Sequence, residues 1–120
     1  MSYNCHDVVV VPSPFTDRAS TKRRPALVIS DAKVFNKPCG HLVLAMITSA
    51  KNSGWPLDVE IMDPDTAGLT AASVVRMKLF TLDEQLIIRR VGSLADADQL
   101  AVQHALIRLL GNALAAQHEG

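Results

Sequence analysis

The chain has 120 residues, 48% of them apolar, with 12 basic and 12 acidic side chains and so no formal net charge. That is apolar material for one core and one domain spanning residues 1–120, and it excludes a global positive field able to draw a polyanion in from a distance. Cys5 and Cys39 have neither zinc nor redox spacing, and no segment has the length of a signal peptide or a membrane span. The expectation is a soluble, cytoplasmic chain with two free thiols.

Residues 8–11 are four valines ending at Pro12-Ser13-Pro14, which reads as a buried strand stopped by prolines that cannot continue a ladder. Residues 16–24 are polar and mostly charged, a loop. Pro25 biases Arg24 toward extended backbone, and residues 26–30 resume as a strand. Residues 31–40 contain Asn36, Pro38 and Gly40 and form a connection with one helical turn at 33–35. Residues 41–48 are apolar enough for a central strand buried on both faces, closing on Thr48-Ser49. After a loop with Gly54 and Pro56, the alternation of Leu57, Val59 and Ile61 predicts a half-buried strand. Residues 62–69 are turn-rich. Residues 71–81 and 85–91 are two further strands interrupted by basic side chains. Ser93 has the position of a helix N-cap with Asp96 in the first turn, so a long helix is expected to follow. Its buried face is expected to carry Leu100, Ile107, Leu110 and Leu114 with Ala97 and Ala101, leaving Asp98, Gln99, Arg108 and Asn112 in water. About six short strands and one terminal helix indicate an α+β domain: a small, strongly curved antiparallel sheet or barrel with an appended helix.

The basic residues cluster locally: Arg18, Lys22, Arg23 and Arg24 before one strand, Arg76 and Lys78 within another, Arg89 and Arg90 in a third. Three stretches carry the functional signal: 22–30, 46–49 and 73–78. In each, a hydrophobic run begins or ends on an arginine or a hydroxyl, which is how a small barrel presents anion-binding groups at its rim. A phosphate-handling site follows as the expectation.

Asp7 to Pro12, Phe15, Lys22 to Ser30, Phe35-Asn36, Ile47-Thr48-Ser49, Gly68-Leu69, Ser73 to Arg76 and Gly92-Ser93-Leu94 follow one another in a characteristic order. That order resembles the MazF/PemK family of toxin endoribonucleases from bacterial toxin–antitoxin pairs. It implies an SH3-like antiparallel β-barrel with a long C-terminal helix, a homodimer, metal-independent cleavage of single-stranded RNA without any cofactor, and neutralisation by a cognate antitoxin. Carried over to this chain, the arginine before the proline is Arg24 and the threonine closing the third strand is Thr48. These are the catalytic candidates. Ser49, Arg76, Lys78, Lys22 and Arg23 are RNA-binding or supporting candidates. The chain departs from the family at Lys78, where members with the additional arginine carry an acidic residue, and at His6, where many carry glycine.

Arginine suits phosphate because its planar fork donates to two oxygens and stays charged at any working pH. Taken alone, however, an arginine beside a strand is most often a solvated charge, and a Thr-Ser pair at a strand end most often satisfies a turn. Arg76 and Lys78 read equally as a solvent-facing ladder. Trp55 is expected to pack over the barrel end in preference to stacking on a base, and His41 to be structural. His6, His104 and His118 have no metal-ligand spacing with one another. A rival from another class is a non-enzymatic CcdB-like toxin that binds gyrase through its C-terminal helix. A third is a catalytically degraded relative that only binds RNA or an antitoxin.

Overall fold

The computed structural model describes residues 2–13, 22–52 and 54–115; Phe15, Arg18, His118 and most of the expected 16–24 loop lie outside them. Six strands form one antiparallel, strongly curled sheet: β1 (Asp7–Pro12), β2 (Arg23–Val28), β3 (His41–Ser49), β4 (Val59–Glu60), β5 (Ser73–Asp83) and β6 (Arg89–Ser93). Their spatial order is β4-β5-β3-β2-β1-β6. Between β2 and β3, a π-helical turn (Ala32–Asn36) runs into the short helix α1 (Lys37–Cys39), and helix α2 (Asp96–Leu114) follows β6.

The valine run forms a strand because alternate side chains enter different cores. Val8, Leu27, Ala45, Ile47 and Val75 pack under α2 through Val102 and Ala105. Val9, Val11, Ala26, Val28, Leu42, Leu44 and Leu82 pack on the opposite face beneath Tyr3 and Ile87. β3 therefore sits centrally with both faces covered, as its apolar run requires. Each fully buried aliphatic side chain contributes roughly 1.5–3 kcal/mol.

Residues 63–69 press against β6, and two glycines make the approach possible. Gly68 has φ +75°, and a Cβ there would lie 2.2 Å from the Val91 carbonyl oxygen; a Cβ at Gly92 would lie 2.5 Å from the Ala67 carbonyl carbon. Backbone is thus stacked on backbone where no side chain fits. His6 also lies in the left-handed region, φ +75°, which gives a physical reason why glycine suits that position.

Four expectations need correcting. Residues 84–86 form a 3₁₀ turn with Asp83 accepting from the Gln85 N–H, so the last strand begins only at Arg89. The strand expected at 57–61 shrinks to two residues, because Asp58 turns back to accept from the Trp55 N–H. Ser93 belongs to β6, paired with Asp7, and the helix N-cap is Ala95 without a side-chain cap. The buried face of α2 holds Asp98, Val102 and Ala105, while Leu100, Ile107, Leu110 and Leu114 are exposed. Asp98 is buried because its carboxylate accepts the backbone N–H groups of Met62 and Asp63, at 3.0 Å each. Its place in the first turn of α2 adds the positive end of the helix dipole. That anchoring fixes the helix rotation and turns Leu100, Ile107 and Leu110 outward; Leu114 lies past a break in the helix at Gly111, φ +31° and ψ −103°.

Candidate functional site

The sheet face that carries Val28, Leu44 and Leu82 changes character along the strands. Ala26 pairs with Met46, so two residues further on Arg24 falls opposite Thr48. Thr48 pairs with Val74, and Met46 with Arg76. Between Leu79 and Arg76, β5 carries two residues more than β3 does between Ala45 and Met46. An excess of two preserves the alternation of faces, so Arg76 and Lys78 share the side of Phe80 and Leu82. One face is therefore apolar at one end and bears Arg24, Thr48, Arg76 and Lys78 at the other.

Arg24, Thr48 and Ser49 line one surface cleft of about 220 Å³, walled by Leu69, Thr70, Ala71 and Ser73. The side chains owe their positions to short local bonds. Thr48 Oγ1 accepts from Asn52 Nδ2 at 2.6 Å, and Ser49 Oγ accepts from the Lys51 N–H at 3.2 Å. A hydroxyl that accepts from an amide keeps its own proton for a ligand, so Thr48 and Ser49 face the cleft as donors. Arg24 is exposed, and no carboxylate among the described residues pairs with it. A guanidinium fork beside two hydroxyl donors suits a tetrahedral oxyanion.

Arg76 and Lys78 lie outside the lining of this cleft. Arg76 is buried; its Nε and Nη2 donate to the two Asp58 oxygens at 3.2 and 3.0 Å. Those bonds hold the Asp58 carboxyl below the usual carboxylate range. The Arg76 guanidinium carbon is 5.2 Å from the centre of the Trp55 ring and Lys78 Nζ is 5.9 Å from it. Trp55 lies against these two β5 side chains and is 44% exposed. Lys22 and Arg23 are exposed at the entrance of β2, outside the cleft lining. His41 is exposed and its Nδ1 lies 3.0 Å from the Cys39 carbonyl, a local structural role. Cys5 and Cys39 are free thiols, with burial pushing the Cys5 thiol up. Among the described residues, no helix is long and apolar enough to cross a membrane.

Two contributors escaped the sequence reading. Asn52 orients Thr48, and the spacing Thr-x-x-x-Asn across a strand end and its turn is the signal that was available. Asp58 clamps Arg76 from 18 positions away, and no local pattern announces that.

No curated protein sequence matches the chain. Among solved structures, MazF in a MazE–MazF complex from Deinococcus radiodurans superposes with a TM-score of 0.70 at 25% identity, covering 92% of this chain and 97% of that one. An endoribonuclease in complex with its cognate antitoxin from a mycobacterial species gives 0.71 at 17% identity, covering 92% and 94%. Toxin MazF-mt6 from Mycobacterium tuberculosis gives 0.64 at 20% identity, covering 85% and 93%. The family model described as PemK-like, MazF-like toxin of type II toxin–antitoxin system matches residues 4–110. With that match spanning nearly the whole chain and the same fold in these structures, the chain belongs to the PemK-like, MazF-like toxin family.

Proposed function

We propose that the chain is a sequence-selective, metal-independent endoribonuclease that cleaves single-stranded mRNA. The observation that carries this reading is the convergence of Arg24, Thr48 and Ser49 on one cleft from two strands. In the proposed reaction, the ribose 2′-hydroxyl attacks the adjacent phosphorus and loses its proton to a base. The P–O5′ bond breaks, and the leaving 5′-oxygen takes up a proton. Arg24 absorbs the charge that develops on the phosphorane, while Thr48 and Ser49 donate to its oxygens and hold the in-line geometry. DNA, without the 2′-hydroxyl, is bound without being cut. Lys78 adds positive potential one step along the same face, where Arg76 is already neutralised by Asp58, and Lys22 and Arg23 extend it toward the RNA backbone.

We further propose a cytoplasmic homodimer that a cognate antitoxin neutralises. The outward row of Leu100, Ile107, Leu110 and Leu114 supports a protein partner, since such a patch on a small domain favours association. Light scattering at micromolar concentration tests the dimer; a monomer overturns it.

The test of the nuclease is incubation of the purified chain with a long mRNA, with and without a chelator, beside Arg24→Ala. Chelator-resistant cleavage that disappears in Arg24→Ala with an unchanged thermal midpoint is expected. Equal cleavage by Arg24→Ala removes the reading. Intact RNA together with gyrase trapped on DNA assigns the chain to the CcdB-like class instead.

A further inference from the structure

Trp55 stands out because it is both exposed and held. Its backbone N–H donates to Asp58 Oδ2 at 2.9 Å, the Asp58 N–H returns to the Trp55 carbonyl at 3.2 Å, and Asp58 grips Arg76 through both carboxylate oxygens. Arg76 in turn lies 5.2 Å from the ring centre, so Asp58 holds the Trp55 backbone on one side and the guanidinium beside the Trp55 ring on the other. Arg76 is 8% exposed and Trp55 44% exposed, so the buried cation backs the ring while the remaining ring surface meets solvent. A large aromatic surface fixed in this way loses little conformational entropy when something stacks on it. A second cation, Lys78 Nζ, lies 5.9 Å from the same ring and is exposed to solvent. The location matters as much as the rigidity. Arg76 pairs with Met46, and Thr48 follows two residues later, roughly 7 Å along β3.

We propose that Trp55 is a stacking platform for an unpaired nucleobase of the RNA strand whose phosphate occupies the Arg24–Thr48 cleft, with Lys78 neutralising a neighbouring phosphate. This rests on the nuclease reading, because it needs a single strand in that cleft. Asp58 acts as the positioning residue: through Arg76 and the Trp55 backbone it sets the ring angle without touching RNA. Lys78 thereby has a binding role that an acidic side chain, repelled by phosphate, does not fill.

Trp55 is the chain's single tryptophan, so its emission reports on this ring alone. The test titrates the full chain with 2′-O-methyl single strands, which lack the attacking hydroxyl and are not consumed. The four homopolymers and one mixed sequence are used, and binding is followed independently by anisotropy of an end-attached dye. Trp55 emission is expected to be quenched with the same midpoint as the anisotropy rise. Trp55→Ala is expected to weaken binding roughly 5- to 150-fold, and Trp55→Phe to recover most of that loss. Asp58→Asn is expected to keep part of the affinity while broadening the emission of the now unclamped ring. Circular dichroism of each variant confirms the fold, and the wild-type quench needs no variant. Binding that depends on Arg24 but leaves the emission unchanged overturns the platform and spares the nuclease reading. Quenching by single strands in a protein that leaves natural RNA intact keeps the platform and overturns the nuclease. Failure of every single strand to bind overturns both.

Discussion

Asp98→Ala offers the sharpest test of how the helix is attached. The carboxylate is 2% exposed and satisfies two backbone donors, the Met62 and Asp63 N–H groups. Hydrogen bonds to a charged group contribute about 1.5 kcal/mol each, and the truncation leaves both donors facing a void, so a loss of about 3 kcal/mol is expected. A chain of this size unfolds with an entropy of about 0.25 kcal/mol/K, which converts the loss to a fall of about 12 °C in thermal midpoint. Asp98→Asn keeps the shape but sets an NH₂ group against one of the two donors, so it should fall between wild type and alanine. Differential scanning calorimetry at one fixed protein concentration measures all three. A midpoint for Asp98→Ala within 2 °C of wild type refutes the anchoring argument, and with it the account of why the leucine row faces outward.

Thr48→Val removes a hydroxyl at constant shape; RNA cleavage should fall on the order of 10²-fold with the thermal midpoint unmoved, and single-turnover rates read this directly. Gly68→Ala combines a left-handed backbone with a Cβ 2.2 Å from the Val91 oxygen, so the urea midpoint should drop by the equivalent of about 2–4 kcal/mol; a wild-type midpoint contradicts the close approach. Asp58 has a folded pKa depressed chiefly by its hydrogen bonds from Arg76, so its contribution is complete above the unfolded carboxylate value of about 3.9 and is lost as pH falls through the folded value. Stability measured in urea from pH 6 to 2.5 should therefore decline more steeply at the acid end in wild type than in Asp58→Asn. On α2, Val102→Ala at a fully buried position should cost about 2 kcal/mol and Leu100→Gln at an exposed one under about 0.5 kcal/mol; the reverse ranking restores the face read from periodicity.

The strands were legible where the sequence alternates or runs apolar between prolines and glycines. Residues 8–11, 26–30, 41–48 and 71–81 all fall on strands, in whole or in large part, the first three because two covered faces demand such runs and the last because its odd-numbered positions Ser73, Val75 and Met77 are buried. α2 was legible as a helix but not in its rotation. Periodicity assigns leucines to the inside, yet one aspartate with two backbone partners more than thirty residues away outweighs them. The short strands failed for a similar reason: Asp58 and Asp83 spend their carboxylates on nearby N–H groups and turn the chain where alternation alone reads as extended. Within the site, Arg24 and Thr48 were accessible from their positions beside strand ends. What they share with each other, and what Asp58 shares with Arg76, is set by strand order, which a single sequence does not print.

The two extra residues of β5 connect this topology to the site. Opposite one step of β3, from Ala45 to Met46, β5 spends three, and the excess comprises Met77 and Lys78. Bulged strands twist more strongly than regular ones and re-aim the side chains beside them. Met77 still reaches the core under α2, which fixes the bulge by burial. With Met77 anchored below, its neighbours Arg76 and Lys78 are both left on the opposite face, where each lies within 6 Å of the Trp55 ring centre. Deleting the pair would keep the facing of every later residue on β5, since two is a full period, but it would remove Lys78 and pull the strand flat. A deletion variant that folds yet no longer shows Trp55 quenching by single strands would tie the platform to the bulge; one that folds and quenches as wild type would show that the Gly54–Pro56 turn and Asp58 alone suffice to hold the ring.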